Sequence, residues 1–140
     1  MTARTRRSPA RRRIALVAVA VAVLVAGLLV HRFGSGEIGD IAGDALYAVL
    51  VYLLFAMLLA RSSRTLPAAL AIIFCTVIEF LQLTDLPRTW ALAFPPSALV
   101  LGSSFAQRDL LVYPASVLLA LIVDAALSRG TRRQRAQPRG

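Results

Sequence analysis

The chain is short, apolar and basic, and this combination excludes an ordinary soluble domain. It has 140 residues, of which 58% are hydrophobic, with a mean hydropathy of +0.70 and a net charge of +9. Soluble domains contain about 45–50% apolar residues, and a chain this short cannot bury such an excess in one aqueous core. The basic charge is all arginine and flanks apolar blocks. That pattern favours a topology signal and contact with anionic lipids over nucleic-acid binding.

The N-terminal part consists of an arginine-rich tail and the first apolar block. Residues 1–13 carry six arginines, and residues 14–30 follow without a charge. Seventeen residues is the short end of a membrane-spanning helix. A signal peptide has a similar pattern, but this block is long for one and no convincing small-residue cleavage site follows it. The pattern therefore favours a first transmembrane helix that is not cleaved.

The next two blocks predict a helical hairpin. A glycine-rich loop ends at Asp40, a plausible N-cap, and predicts a second helix over about 41–60. Residues 61–65 form a polar turn that is too short for anything but a connection between antiparallel helices. A third helix is predicted over 66–83, because Pro67 is tolerated in a first turn.

The connection over 84–107 contains an apolar stretch, residues 91–101, that is too short to span. The pair Pro95-Pro96 would break it as a helix. We therefore expect an interfacial or re-entrant segment, with Trp90 at head-group depth. A fourth helix is predicted over 109–127, and residues 128–140 form a second arginine-rich tail.

Arginine placement predicts the orientation. Thirteen arginines fall in the two tails and the 61–65 turn, and three fall on the other side. Because cytoplasmic loops carry the excess of arginine, the chain is predicted to be an all-α membrane protein with four transmembrane helices and both termini inside. A fifth crossing by 91–101 would place the C-terminal arginines outside. The expected location is a bacterial cytoplasmic membrane, crossed several times.

Six of the seven acids fall at the outer side of this topology, and only Asp124 is at the inner side, beside Arg129. Several have polar partners at helical spacing, which places them on shared faces of helices 2, 3 and 4. Helix 1 carries nothing polar and is expected to face lipid. The polar candidates at the outer ends are Asp44, Tyr47, Thr76, Glu79, Gln82, Asp109, Tyr113 and Ser116.

Glu79 is the strongest of these candidates. It lies toward the C-terminus of its helix, where the dipole disfavours an anion, and an acid at membrane depth costs about 2.5–3.5 kcal/mol. It must be protonated, paired or exposed to water, and Arg88 and Arg108 are the nearest expected cations. Asp44 and Asp109 have a simpler alternative explanation, because acids are favoured in first helical turns. Tyr47 and Tyr113 also have a simpler explanation, as aromatic residues at the membrane interface.

Four short motifs occur in register along the chain. They are Gly43-Asp44-Ala45-Leu46-Tyr47, Glu79-x-x-Gln82, Leu101-Gly102-x-x-Phe105 and Asp109-Leu110-x-x-Tyr113. This pattern resembles the DUF2809 family, small bacterial membrane proteins of unknown function, and its skeleton is similar to VanZ-like proteins associated with glycopeptide resistance. Tyr113 stands where the VanZ-like pattern has asparagine, so the resistance activity is not carried over. The resemblance implies that Asp44, Glu79, Gln82 and Asp109 act as a set, and it supplies no reaction.

Three functions are compatible with these features. The first is an envelope-facing site that binds or processes a lipid-linked or head-group ligand, with Glu79, Asp109 and Asp44 as catalytic candidates. The second is an assembly subunit whose polar groups only hold helices together. The third, an ion pathway, ranks last because the inner half offers only Asp124. No metal, cofactor or nucleic acid is indicated. The expected partners are membrane lipids, and the proposed binding residues are Asp44, Tyr47, Glu79, Gln82, Arg88, Arg108, Asp109 and Tyr113.

Overall fold

The structure is a computed structural model that describes residues 9–102 and 105–136, and the side chains of 12–102 and 105–127. Every element in this described part is helical. The elements are α1 (Pro9–Phe33), α2 (Gly36–Leu58), α3 (Thr65–Leu81), α4 (Leu86–Ala93), a short 3-10 turn (Pro95–Ser97), α5 (Ala98–Leu101) and α6 (Asp109–Ala136).

Three helices extend beyond the ranges expected from hydropathy. α2 begins at Gly36, after Ser35, so Asp40 lies inside the helix and the expectation that it is the N-cap was wrong. The early start is favoured because Glu37 lies in the first turn, where the helix dipole favours acids. α1 begins at Pro9, and α6 continues to Ala136 through part of the arginine-rich tail. Arginine is a good helix former, so the loss of hydropathy does not end either helix.

The described helices fit a multi-pass membrane protein. Three are long and apolar enough to cross a bilayer: Arg12–Phe33, Gly36–Leu58 and Asp109–Leu127. α3 qualifies together with α4, but the two are bent by 88°. The number of candidate spans is therefore three, or four if the bent pair is one span.

The core lies between α2, α3 and α6, which pack against one another in all three combinations. Small side chains allow this close approach, as they do at many helix interfaces in membranes. The buried side chains of this core include Ala48, Tyr52, Ala56, Ala71, Cys75 and Val117.

α1 lies outside this three-helix core and packs along α2. Leu16 and Ala20 are its buried side chains, whereas most of its other apolar side chains are exposed. This exposure agrees with the expectation that helix 1 faces lipid.

The connection between α3 and α6 exposes large apolar side chains. Trp90, Leu92, Phe94 and Leu99 are each between 46% and 81% exposed. α4 ends at Ala93, directly before the Phe94-Pro95-Pro96 segment, as expected from the restriction that proline places on helices. The connection therefore presents an apolar surface where a soluble protein would have a polar loop.

Candidate functional site

Glu79 is the centre of a buried hydrogen-bonded arrangement at one end of the core. Its side chain is fully buried, although it lies near the end of α3. One carboxylate oxygen accepts the backbone N–H of Ala106 at 2.6 Å, and the other accepts the Tyr113 hydroxyl at 3.2 Å. Glu79 thereby joins α3 to α6 and to the segment that precedes α6. In the described part of the chain, no arginine pairs with it.

Two side chains anchor the carbonyl groups at the end of α5. The Tyr47 hydroxyl donates to the carbonyl of Val100, and Nε2 of Gln82 donates to the carbonyl of Leu101, both at 2.7 Å. Helix ends leave such carbonyls without intrahelical partners, so both bonds satisfy groups that would otherwise be unpaired. The Oε1 atom of Gln82 is buried and accepts no hydrogen bond from any described residue.

Gly102 permits this close approach. Its φ of +66° lies in a region that favours glycine, and a Cβ there would collide with the side-chain amide of Gln82. The Leu101-Gly102 motif therefore has a structural reason, because only glycine fits beside Gln82 in this backbone conformation.

Arg108 contacts acidic side chains of two helices, α2 and α6. Its guanidinium lies 3.5 Å from Glu37, 3.6 Å from Asp40 and 3.3 Å from Asp109. Desolvation acts against its charge, but the hydrogen bond and charge of Asp109 and the charge of Asp40 outweigh it and raise the pKa of Arg108. Arg108 therefore remains a cation that connects the start of α2 to the start of α6.

Asp44 and Asp109 form a pair of carboxyl groups across α2 and α6. Their side chains are within hydrogen-bonding distance of each other. Asp109 is 5% exposed, whereas Asp44 is half-buried. Paired carboxyl groups of this kind can share a proton and can take part in acid–base chemistry. We call Asp44, Glu79, Arg108, Asp109 and Tyr113 the carboxylate cluster.

The carboxylate cluster opens into a groove of about 950 Å³. Its walls come from α1, α2, α3, the segment around α5 and the start of α6. Polar side chains of the lining gather at one end, where Asp40, Asp44, Arg108 and Asp109 lie. The rest of the lining is apolar and follows one face of α2 as far as Leu58.

Most of the predicted site residues do come together. Asp44, Tyr47, Gln82, Arg108, Asp109 and Tyr113 line the groove. The rings of Tyr47 and Tyr113 meet edge to face, with their centroids 6.5 Å apart. Glu79 lies behind this layer and is not among the lining residues. Arg88 is exposed on α4, away from the groove.

The sequence prediction did not include Glu37 and Asp40 as partners of Arg108, or the backbone N–H of Ala106 as a partner of Glu79. The acids were recognised as lying at the same end of the bundle. Which acids contact Arg108 depends on where the chain enters α6. The spacing of side chains along a single helix does not predict that position. For Arg108 the sequence did offer a signal, because it directly precedes Asp109 at the start of a predicted helix.

A second polar cluster surrounds Asp124, which lies about 22 Å further along α6 from Asp109. Asp124 accepts hydrogen bonds at 3.3 Å from Arg12, 2.7 Å from Arg64 and 3.1 Å from the Tyr52 hydroxyl. Arg12 also donates to the carbonyl of Ala60 at 3.0 Å. We call Arg12, Tyr52, Arg64 and Asp124 the Asp124 cluster. The pairing expected with Arg129 lies outside the described side chains.

The comparison with known families identifies the chain. A family model described as a protein of unknown function, DUF2809, matches residues 33–115, which is more than half of the sequence. The chain belongs to the DUF2809 family. No match was found among curated proteins or solved structures.

The DUF2809 match includes every residue of the carboxylate cluster and the whole connection from α3 to α6. It leaves out Arg12 and Asp124, so the Asp124 cluster lies partly outside the family region. Among the described residues of this DUF2809 protein, no group of three or more histidine, cysteine or acidic side chains is placed to hold a metal ion.

Proposed function

We propose that the chain crosses a bacterial cytoplasmic membrane four times with both termini inside. The 17 residues of α3 rise about 25 Å, close to the thickness of a hydrocarbon core. The Asp124 cluster joins Arg12 of the N-terminal tail, Arg64 of the α2–α3 turn and Asp124, which precedes the C-terminal tail, at one end of the bundle. These segments are rich in arginine, which is typical of the cytoplasmic side of a membrane protein. α4 then lies near the outer interface, perpendicular to α3.

We further propose that the protein binds an envelope lipid, or the head group of one, at the outer end of α2, α3 and α6. The observation that supports this function is the groove. It brings the acids and Arg108 into contact with a long apolar channel. Ligand sites commonly combine such an apolar lining with a few convergent polar groups. Ionisable groups at membrane depth are costly, and they mark functional sites more often than structural ones.

We propose two different roles for the predicted site residues. Asp44, Arg108 and Asp109 line the groove and would contact the ligand. Glu79 would act as a positioning residue, because its two oxygens already accept hydrogen bonds from Ala106 and Tyr113. If the protein also processes its ligand, the Asp44–Asp109 pair is a better candidate for acid–base work than Glu79. The similarity to VanZ-like proteins stays a prediction, and we propose no resistance activity.

A groove-filling variant tests ligand binding. Leu54 lines the groove, and Leu54→Trp would fill it. Leu119 is 63% exposed on α6, outside the groove, so Leu119→Trp is the matched control. Each protein is purified from native membranes and its retained lipids are measured by mass spectrometry. We expect the wild type and Leu119→Trp to retain one lipid in about equal amount and Leu54→Trp to lose it. Equal retention in all three would contradict the proposed site.

An assembly role is the alternative, and the satisfied hydrogen bonds of Glu79 favour it. Glu79→Leu leaves the Ala106 N–H and the Tyr113 hydroxyl without an acceptor, whereas Glu79→Gln keeps an acceptor. Collapse of folded yield in detergent with Leu but not with Gln would support this structural role. If both variants fold normally but lose lipid, Glu79 belongs to the ligand site after all.

A further inference from the structure

The distribution of polar groups along the groove indicates the shape of its ligand. The stripe of α2 that lines the groove runs from Gly39 to Leu58, a rise of about 28 Å. After Tyr47, the α2 residues in this lining are all apolar: Leu50, Val51, Leu54, Phe55 and Leu58. A ligand that matches this pattern has one polar end beside Asp44 and a hydrocarbon chain that follows α2 toward the opposite end.

The charges at the polar end indicate the chemistry of the head group. Asp40, Asp44 and Asp109 line the groove there, and Arg108 is the one arginine among the described lining residues. Three carboxylates already surround Arg108 and offset its positive charge, so a phosphate there would gain little attraction. An anionic head group would therefore be repelled by the excess of carboxyl groups.

Hydrogen-bonding capacity gives the same indication. Two groups that face the groove between α2 and the end of α3 have unused acceptor capacity. Asp44 contributes a half-buried carboxyl group, and Gln82 contributes the buried Oε1 atom that no described residue satisfies. A buried acceptor without a donor is costly, so a ligand that supplies N–H or O–H groups would relieve that cost.

We propose that the groove binds a single lipid whose head group carries hydrogen-bond donors, hydroxyl or ammonium, between Asp44 and Gln82, with its chain along α2. This inference rests on the proposed lipid-binding function and adds the selectivity of the site. A hydroxyl head would come from a glycolipid and an ammonium head from an aminolipid. Both kinds of head group supply hydrogen-bond donors.

Chain-matched lipids separate the donor from the charge. The purified full chain in detergent is titrated with phosphatidylethanolamine, phosphatidylcholine, monoglucosyl diacylglycerol and phosphatidic acid, and native mass spectrometry measures the bound fraction. Phosphatidylethanolamine and phosphatidylcholine have the same net charge and differ in their N–H donors. We expect either the ethanolamine lipid or the glucosyl lipid to bind about tenfold more tightly than phosphatidylcholine and phosphatidic acid. The tighter of the two identifies the source of the donor.

Asp44→Asn tests the residue assignment, with Asp85→Asn as a control of the same chemistry on an exposed acid outside the groove. Asp44→Asn should reduce the preference for the donor lipid several-fold, and Asp85→Asn should leave it unchanged. Equal affinity for all four lipids, or tightest binding of phosphatidic acid, would overturn the head-group inference. Lipid binding itself would still stand in that case, provided that Leu54→Trp weakens every lipid and Leu119→Trp does not. If Leu54→Trp weakens none, the proposed function fails instead.

Discussion

The two polar clusters of the molecule lie about 22 Å apart along α6 and differ in charge balance and surroundings. In the Asp124 cluster, one carboxylate accepts hydrogen bonds from two arginines and a tyrosine, and none of these four residues lines the groove. In the carboxylate cluster, acids outnumber the single arginine, and four of its five members border an apolar channel. Paired charges hold helices together, whereas excess charge beside a cavity costs stability and is retained for function.

The largest expected effect is that of Asp124→Ala on stability. The substitution leaves Arg12 and Arg64 close together without their shared acceptor, and breaking a buried charge pair costs about 3–5 kcal/mol. These side chains are 18–35% exposed, so solvent screening reduces the expected loss to about 2–3 kcal/mol. The free energy of unfolding in detergent, measured by chemical denaturation, checks this value.

Lipid affinity distinguishes the two clusters in the same variant. Asp124→Ala should leave the affinity for the preferred lipid unchanged, since the cluster lies outside the groove. Asp85→Ala, on an exposed acid, should change neither quantity. A large drop in lipid affinity with unchanged stability would show that the two clusters have been assigned the wrong roles.

The sequence predicted the helices and the grouping of the polar residues better than it predicted the helix ends. Long apolar blocks identified the helices, because hydropathy over about 20 residues is a strong signal. Helical spacing placed Asp44, Glu79, Asp109 and Tyr113 at one end, and the structure brings them together. Helix ends were less well predicted, because arginine and glutamate sustain a helix where hydropathy has already fallen.

The partners of each acid were the least predictable feature. Asp124 was expected beside Arg129, whose side chain lies outside the described part. Its described partners include Arg12, 112 residues away in sequence, at hydrogen-bonding distance. Glu79 was expected to be protonated, paired or exposed to water, with Arg88 and Arg108 as the nearest cations. The structure instead buries it against a backbone N–H that becomes available only because the chain turns before α6. Such contacts depend on tertiary packing, so spacing along one helix could not identify them.

Gly102→Ala should have an intermediate effect and would sharpen the comparison at the carboxylate end. The positive φ and the collision with Gln82 together should lower the free energy of unfolding by about 1–2 kcal/mol. Because the collision displaces the amide that holds Leu101, lipid affinity should fall as well. Gly36→Ala is the control, since Gly36 has a similar positive φ but a Cβ there meets nothing within 4 Å, and Gly36 does not line the groove. Equal stability of the two variants would contradict the proposed contact.

Tyr47→Phe should have the smallest effect on stability and a clear effect on binding. It removes one hydroxyl, whose 2.7 Å bond to the Val100 carbonyl is exposed, so the free energy of unfolding should fall by about 0.5–1 kcal/mol. The bond fixes α5 beside the groove, and without it α5 should open more often and release lipid faster. Lipid dissociation followed in nanodiscs checks this, with Tyr52→Phe as the matched change in the Asp124 cluster. Faster release with Tyr47→Phe alone would support α5 as the cover of the groove. Identical release rates in the two variants would leave the Tyr47 hydroxyl with a purely structural role.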